Sequence, residues 1–310
     1  MIADPARAIA RAEAIAATVA GSQYLECASW SAVRTSLLAA ADALRSLSGQ
    51  VTLPVELGRI MSERRVRSID VAPLSGADGR LVPDGEGFRI LVSQDTGEVR
   101  RRATIAHELG HTFFFDLRSG RPERLPRSRG RASRFHVREE DICWAFAAEL
   151  LMPQGLVEEL PALHNRSLLE TAERIAARCR VSLEFALRRR LLKDIFPFTD
   201  CVALFSSDSG AGVQRVGRCW GSRARRSLPS QVSVLTTAVK SALREHSLAL
   251  DPALNTLLAD AREAAARSGV SVEWSERGLG TEHRVVVVIG PCSTVPPRIG
   301  LDGPAAHLPR

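Results

Sequence analysis

The sequence contains no apolar run that approaches the roughly 18 residues that a membrane-spanning helix requires. Charged residues interrupt its alanine-rich first 21 residues, so we interpret them as an amphipathic helix rather than a signal peptide. None of the six cysteines stands in a C-x-x-C pair, which argues against a disulfide framework and against a cysteine zinc knuckle. These absences predict a cytoplasmic protein with reduced thiols and no contact with a membrane.

Lysine is almost absent as well, since only Lys193 and Lys240 are lysines among the 42 basic residues. The net charge of +7 would favour phosphates or acidic partners. However, acidic residues are also plentiful, and an arginine excess is equally typical of a GC-rich coding sequence. The content of 45% hydrophobic and 25% charged residues is ordinary for a globular protein. Charge alone therefore assigns no nucleic-acid partner.

Changes in pattern divide the sequence into five parts. Alanine-rich helical patterns occupy residues 1–48, a mixed segment follows over 49–160, and two amphipathic helices are predicted within 161–196. Residues 197–295 alternate between strand and helix patterns, which predicts a separate α/β domain. Residues 296–310 are typical of a loose tail. The chain is therefore expected to be of the α+β class.

Turn and breaker residues give more local predictions. The turn PDGEG between GRLVP and FRILVS predicts a β-hairpin over residues 79–93. The arginine-rich residues 117–135 lack apolar periodicity, so we expect an exposed loop there, followed by a helix that ends near Met152. In the last domain we expect helices over 233–246 and 254–268, with strands at CVALFSS, GVQRVGRCW, VSVEW and HRVVVVIG.

Two of the seven histidines lie in the stretch VRRRATIAHELGHTFFFD. His107 and His111 are four residues apart, so on a helix they would lie on one face and could bind one Zn²⁺. Glu108 is rotated by about 100° from His107, which suits a general base acting on a zinc-activated water better than a ligand. Gly110 costs about 1 kcal/mol in a helix and therefore predicts that another element passes close to it.

The third ligand does not follow from spacing. A histidine six residues after His111 would complete the longer motif, but Leu117 occupies that position. The candidates are Glu139, Glu140 and Asp141, which open the next predicted helix. Helical periodicity does not choose among them, and an acidic run is also favoured at a helix N-terminus by the helix dipole.

A resemblance narrows the choice. RATIAHELGH and EEDICWAFAAELLMP together resemble the ImmA/IrrE family of bacterial metallo-endopeptidases, over roughly residues 35–195. The resemblance implies a zincin-like peptidase core at 49–160, with a small antiparallel sheet beside the active-site helix. The short RVS between the two predicted helices of 161–196 makes that segment resemble a helix-turn-helix, and the C-terminal α/β domain resembles the sensor-like domain of some family members.

The resemblance further implies roles for single residues. His107, His111 and Glu140 match the family's metal ligands, for Zn²⁺ or alternatively Mn²⁺, and Glu108 matches its general base. The implied activity is zinc-dependent cleavage of a helix-turn-helix transcriptional repressor. The sequence departs from the family at Trp144, where asparagine is usual. That change would alter the surroundings of the third ligand or fill space near the metal.

Other features leave alternatives open. A transition-state stabiliser is expected, with His136 and the arginines of 118–138 as candidates, although His136 is equally an ordinary loop histidine. The FRILVS strand would suit pairing with an extended peptide substrate. Residues 167–193 could instead read DNA through Arg188, Arg189 and Arg190, but three consecutive arginines cannot all face one groove. A DNA-binding regulator and a non-catalytic partner-binding protein with a vestigial metal site are the alternative functions.

Overall fold

The computed structural model of the chain describes residues 4–21, 27–118, 120–125, 132–158, 168–192, 202–207, 215–220, 256, 258–263, 270–279 and 282–291. The chain divides into one unit of Met1–Pro161 with Ala172–Arg189, and a second of Ala162–Thr171 with Arg190–Arg310. All candidate metal ligands lie in the first unit. The five-part division expected from the sequence stays a prediction.

The first unit begins with two packed helices, as the alanine-rich patterns predict. Helix α1 (Pro5–Gly21) lies against α2 (Cys27–Leu47), and small buried side chains such as Ala12 and Ala16 allow the close approach. Helix α2 also packs on α5 (Ala132–Leu151). The N-terminal helices therefore support the helix that carries the predicted third ligand.

A three-stranded sheet follows the short helix α3 (Leu57–Glu63). Its strands β1 (Val66–Ala72), β2 (Gly79–Asp84) and β3 (Gly87–Ser93) lie in the order β1-β3-β2. Strands β2 and β3 form the predicted antiparallel hairpin, but β1 pairs with β3 in parallel. The sheet is therefore mixed rather than antiparallel, because the chain crosses over after β1 before entering the hairpin.

This strand order corrects the expectation for substrate pairing. Strand β3, which contains FRILVS, is bonded on both sides and offers no free edge. Within the described part of the chain, β2 pairs with β3 alone and is the edge next to the motif helix. Pro83 lies within β2, and a residue without an N–H is tolerated there because edge strands need not donate on both sides.

The motif lies on α4 (Glu98–His111), which continues into a 3-10 turn (Thr112–Phe114). Strand β4 (Phe115–Asp116) pairs with β5 (Glu123–Arg124). The prediction of a loop over 117–135 is therefore wrong at β5 and at the start of α5. These residues form regular structure although they lack the apolar periodicity from which it is predicted. Helix α5 ends at Leu151, close to the predicted Met152. Helices α6 (Gln154–Glu158), α7 (Leu168–Cys179) and α8 (Leu183–Leu192) complete the helical part.

The second unit contains a four-stranded antiparallel sheet in the order β7-β6-β9-β8. Its strands are β6 (Val202–Ser207), β7 (Arg215–Trp220), β8 (Val270–Leu279) and β9 (Glu282–Pro291). The four strand predictions match these elements. Residues 258–263 are helical, within the predicted 254–268, while 233–246 and the tail lie outside the described residues. No described helix combines the length and the apolar character needed to cross a membrane.

Arg64, a buried residue at the end of α3, forms hydrogen bonds with α1 and with the 3-10 turn. The Arg64 side chain is 2% exposed, and it donates to Thr112 Oγ1 at 2.9 Å and to Glu13 Oε1 at 2.5 Å. Its guanidinium carbon lies 3.9 Å from the centre of the Phe113 ring. Burial lowers the pKa of Arg64, and the Glu13 carboxylate opposes that shift. Glu13 is thus the partner that makes this buried charge tolerable.

The two partners should therefore respond unequally to mutation. Glu13→Gln leaves a buried cation without its counter-charge, and we expect a loss of roughly 2–3 kcal/mol in unfolding free energy. Arg64→Met removes the charge and keeps an apolar side chain of similar length against Phe113, so we expect a smaller loss. Urea unfolding followed by circular dichroism measures both. A larger loss for Arg64→Met would contradict the argument.

Candidate metal centre

Helix α4 brings the two histidines of the motif together on one face. The Nε2 atoms of His107 and His111 lie 3.0 Å apart, and the two rings meet edge to face with centroids 4.7 Å apart. His107 is 4% exposed. The opposite face of the helix buries Ile105 and Leu109 in the core. The local spacing therefore places both imidazoles as the sequence predicts.

Glu140 on α5 adds a third donor to this pair. Its Oε2 lies 3.0 Å from His107 Nε2, and its Oε1 lies 3.2 Å from His111 Nε2. We name His107, His111 and Glu140 the donor cluster. Donors bound tetrahedrally at about 2.0–2.1 Å stand roughly 3.3 Å apart, and two imidazoles with one carboxylate are a set that zinc accepts. The three side chains lie close enough to bind one metal ion.

A second carboxylate lies behind His111. Glu139 is fully buried, and its Oε1 lies 2.7 Å from His111 Nδ1. Arg124 on β5 donates to the same oxygen. The Nδ1–H of His111 is thereby directed at Glu139, which turns Nε2 toward the donor cluster. The sequence offered Glu139 only as a possible ligand, and nothing in the polar segment singled out Arg124.

Glu108 lies beside the donor cluster but does not belong to it. Its side chain is buried, and the backbone N–H of Leu81 in the edge strand β2 hydrogen-bonds its carboxylate. Gly79 makes this approach possible, because a Cβ there would lie 2.4 Å from Thr104 Cγ2 and 3.2 Å from Glu108 Oε1. The carboxylate is therefore held in a fixed position between α4 and the sheet edge.

Comparison with known proteins places this arrangement in a family. Residues 65–190 match the family model Peptidase_M78, described as an IrrE N-terminal-like domain. This segment is therefore similar to the M78 domains of the ImmA/IrrE family. The resemblance expected from the two motifs is thus confirmed, and the family suggests metallopeptidase chemistry.

Two further comparisons concern the whole chain. No curated protein matches it. Among solved structures, the chain is similar to one described as a Mycobacterium tuberculosis transcriptional regulator, with 14% sequence identity and a TM-score of 0.44. That likeness covers 87% of this chain and 93% of the other.

Three buried or half-buried glutamates at the site, Glu108, Glu139 and Glu140, differ in acidity. Burial raises the pKa of Glu108, although the nearby His111 and His107 oppose the shift. Burial would also raise the pKa of Glu140, but hydrogen bonds with His107 and His111 bring it below its usual range. Burial likewise opposes a lowered pKa at Glu139, where His111 and Arg124 prevail. Glu108 is thus the most basic of the three and the best suited to accept a proton.

Trp144 lies directly against one of the histidines. It follows Glu140 by one turn of α5, and its ring is tilted by 34° to that of His107, with centroids 4.2 Å apart. Nδ1 of His107 is buried and has no hydrogen-bond partner among the described residues. The two histidines are therefore supported differently, His111 by the Glu139 carboxylate and His107 by aromatic packing. The indole keeps 39% of its surface exposed.

The other site residues predicted from the sequence are placed less fully. His136 belongs to helix α5, but the structure does not describe its side chain, so its proposed role stays a prediction. Arg118 forms an exposed pair with Asp116, and Arg124 binds Glu139. Arg188–Arg190 lie on α8, and their side chains are likewise outside the described part.

Gly110 marks the point where α5 crosses α4. A Cβ at this position would lie 3.2 Å from Cys143 Cα and 3.2 Å from Phe146 Cδ1. This close approach is what the glycine in the motif predicts. Cys143 follows Glu139 and Glu140 by about one turn, so the spacing of the two helices at Gly110 sets the distance from α4 to both carboxylates.

Gly110→Ala is therefore expected to weaken metal binding by about tenfold, comparable with the loss of an outer-shell contact. Alanine favours the helix by about 1 kcal/mol, so a loss of affinity would reflect displacement of α5 rather than a weakened α4. Gly155→Ala, where a Cβ meets nothing within 4 Å, is the matched control. Competition with a chromogenic chelator measures both affinities. Equal affinities in the two variants would show that α5 yields without moving the carboxylates.

Proposed function

We propose that the chain is a metal-dependent endopeptidase that binds Zn²⁺, or alternatively Mn²⁺, through His107, His111 and Glu140. One observation carries the proposal: three donor side chains converge within 3.0–3.2 Å of one another beside a buried, basic carboxylate. The outer contact of His111 with Glu139 also supports it, because metal-binding histidines usually donate their second N–H to a carboxylate.

The reaction would be hydrolysis of a peptide bond by water. A bound divalent ion would supply Lewis acidity, which lowers the pKa of the attacking water and polarises the substrate carbonyl. Glu108 would accept the proton of that water on its carboxylate and then deliver it to the leaving amine nitrogen. The bond from Leu81 N–H would hold this carboxylate in position through both transfers.

The edge strand suggests how a substrate would be held. Strand β2 lies beside α4 and hydrogen-bonds Glu108, so an extended peptide that pairs with β2 would pass next to the general base. Folded helices do not pair in this way, which favours an unfolded or loop segment as the substrate. We propose a helix-turn-helix transcriptional repressor as that substrate, on the ground of the family resemblance.

The decisive experiment incubates the full chain, loaded with Zn²⁺ or Mn²⁺, with the repressor encoded nearest its gene. Glu108→Gln serves as the inactive control, and mass spectrometry locates the cleaved bond. We expect two repressor fragments with the unmutated chain and none with the variant. Fragments that form equally with both proteins would come from a contaminating protease and would overturn the assignment.

A non-catalytic role is the second candidate, because Trp144 stacks on a residue of the donor cluster. In that case the chain would bind metal and repressor without producing fragments. The 39% exposure of Trp144 and the 32% exposure of the Glu140 side chain favour an accessible site. A direct DNA-binding role would be detected as salt-sensitive duplex binding in the same preparation.

A further inference from the structure

Trp144 packs against His107, yet part of its ring remains exposed to solvent. Part of the ring covers the histidine at a centroid distance of 4.2 Å, and this contact explains why an aromatic residue supports the ligand. Yet the indole retains 39% of its surface, although burying an aromatic side chain is strongly favourable. Among the described large apolar side chains that are exposed, Trp144 is the only aromatic one.

A second ring extends this surface. Phe185 on α8 meets Trp144 edge to face, with centroids 6.0 Å apart and an interplanar angle of 68°. Phe185 is itself only partly buried. Two aromatic rings from separate helices therefore form one apolar surface, and its inner end touches the donor cluster at His107.

The position of this surface limits what it can contact. Glu140 and Trp144 are successive positions on one face of α5, so the apolar surface begins about one helical turn, roughly 5.4 Å, from a donor carboxylate. That is within the reach of a side chain on a residue that flanks a peptide bond at the metal. A polar or charged side chain would lose hydration there without gaining a partner.

We propose that Trp144 and Phe185 form the wall of a substrate subsite for an apolar, preferentially aromatic, side chain next to the cleaved bond. This inference rests on the proposed endopeptidase function and adds a side-chain preference to it. Edge-to-face and offset contacts with the wall would distinguish phenylalanine from alanine by about tenfold or more in binding.

Amino-acid hydroxamates test the subsite without requiring turnover. The metal-loaded full chain is titrated by calorimetry with phenylalanine hydroxamate and with alanine hydroxamate, which share the metal-binding group and differ in the side chain. We expect the phenylalanine compound to bind at least about tenfold more tightly. The ratio should fall below about threefold in Trp144→Ala and in Phe185→Ala, and most of it should remain in Trp144→Phe. Val51→Ala, an exposed apolar change elsewhere, should leave the ratio unchanged.

The outcomes separate this inference from the proposed function. Equal binding of the two hydroxamates, or a ratio unaffected by Trp144→Ala and Phe185→Ala, would overturn the subsite. If Trp144→Ala loses the metal, Phe185→Ala and Trp144→Phe still decide, since Phe185→Ala keeps the indole over His107 and Trp144→Phe replaces it with another aromatic ring. A preserved ratio in a chain that cleaves no protein would sink the endopeptidase function alone. Cleavage by a chain without the ratio would sink the subsite alone.

Discussion

Replacing Glu108 with glutamine is expected to lower peptide hydrolysis by about 10²–10⁴-fold while metal affinity stays nearly constant. Glutamine keeps the shape of the side chain, and its carbonyl oxygen can still accept the Leu81 N–H. It cannot accept a proton from the attacking water. Because Glu108 lies outside the donor cluster, the three side chains of that cluster are unchanged. The loss should therefore appear in kcat, with little change in KM.

The control for this variant lies on the same helix. Glu98→Gln removes an exposed carboxylate in the first turn of α4, whose partner is Arg180, and should leave hydrolysis close to that of the unmutated chain. Metal content by atomic emission and cleavage of a quenched fluorescent peptide give the two readouts. Full activity in Glu108→Gln would remove Glu108 from the mechanism. Loss of the metal from Glu108→Gln would instead assign it a structural role at the site.

The half of the site that lies within one helix is predictable from the sequence. The spacing of His107 and His111 determines their common face, and Glu108 follows from the same periodicity. Gly110 also carries a signal, because a glycine inside a helix implies a close neighbour, and α5 is that neighbour. These inferences succeed because they depend on helical geometry alone.

The other half depends on how elements pack, which periodicity does not encode. Glu139 and Glu140 lie on adjacent faces of α5, and both faces meet α4, one at His111 Nδ1 and the other at the two Nε2 atoms. Neither residue could be preferred from spacing because the structure uses both. Arg124 lies on a two-residue strand in a polar segment, and no apolar pattern there predicts either the strand or its contact with Glu139.

Sheet order was likewise beyond local reasoning. The hairpin of β2 and β3 follows from its turn, but the parallel pairing of β1 with β3 depends on a crossover connection. That pairing moves β3 to the centre of the sheet and leaves β1 and β2 as its two edges, of which β2 contacts α4. Leu81, which contacts Glu108, therefore belongs to β2, whereas the sequence analysis proposed β3 as the strand that would pair with a substrate.

Three consecutive acidic residues of α5 allow the proposed metal ligand, the residue that orients His111 and an uninvolved neighbour to be compared directly. Glu140→Gln removes a donor carboxylate, Glu139→Gln weakens the contact that orients His111, and Asp141→Asn changes an exposed neighbour. Each substitution removes one charge and nearly preserves the side-chain shape. Any difference among them therefore reports on position rather than on net charge.

We expect metal affinity to fall by about 10–100-fold in Glu139→Gln, as for other outer-shell contacts, and by more than that in Glu140→Gln. Asp141→Asn should bind metal as the unmutated chain does. Chelator competition at fixed pH and salt measures all three. Glu139→Gln should also lower the unfolding midpoint of the metal-free chain, because Arg124 loses its buried partner. A larger affinity loss for Glu139→Gln than for Glu140→Gln would make Glu139 the metal ligand and Glu140 the supporting residue. Equal losses in all three variants would show that metal affinity depends only on the net charge of this segment.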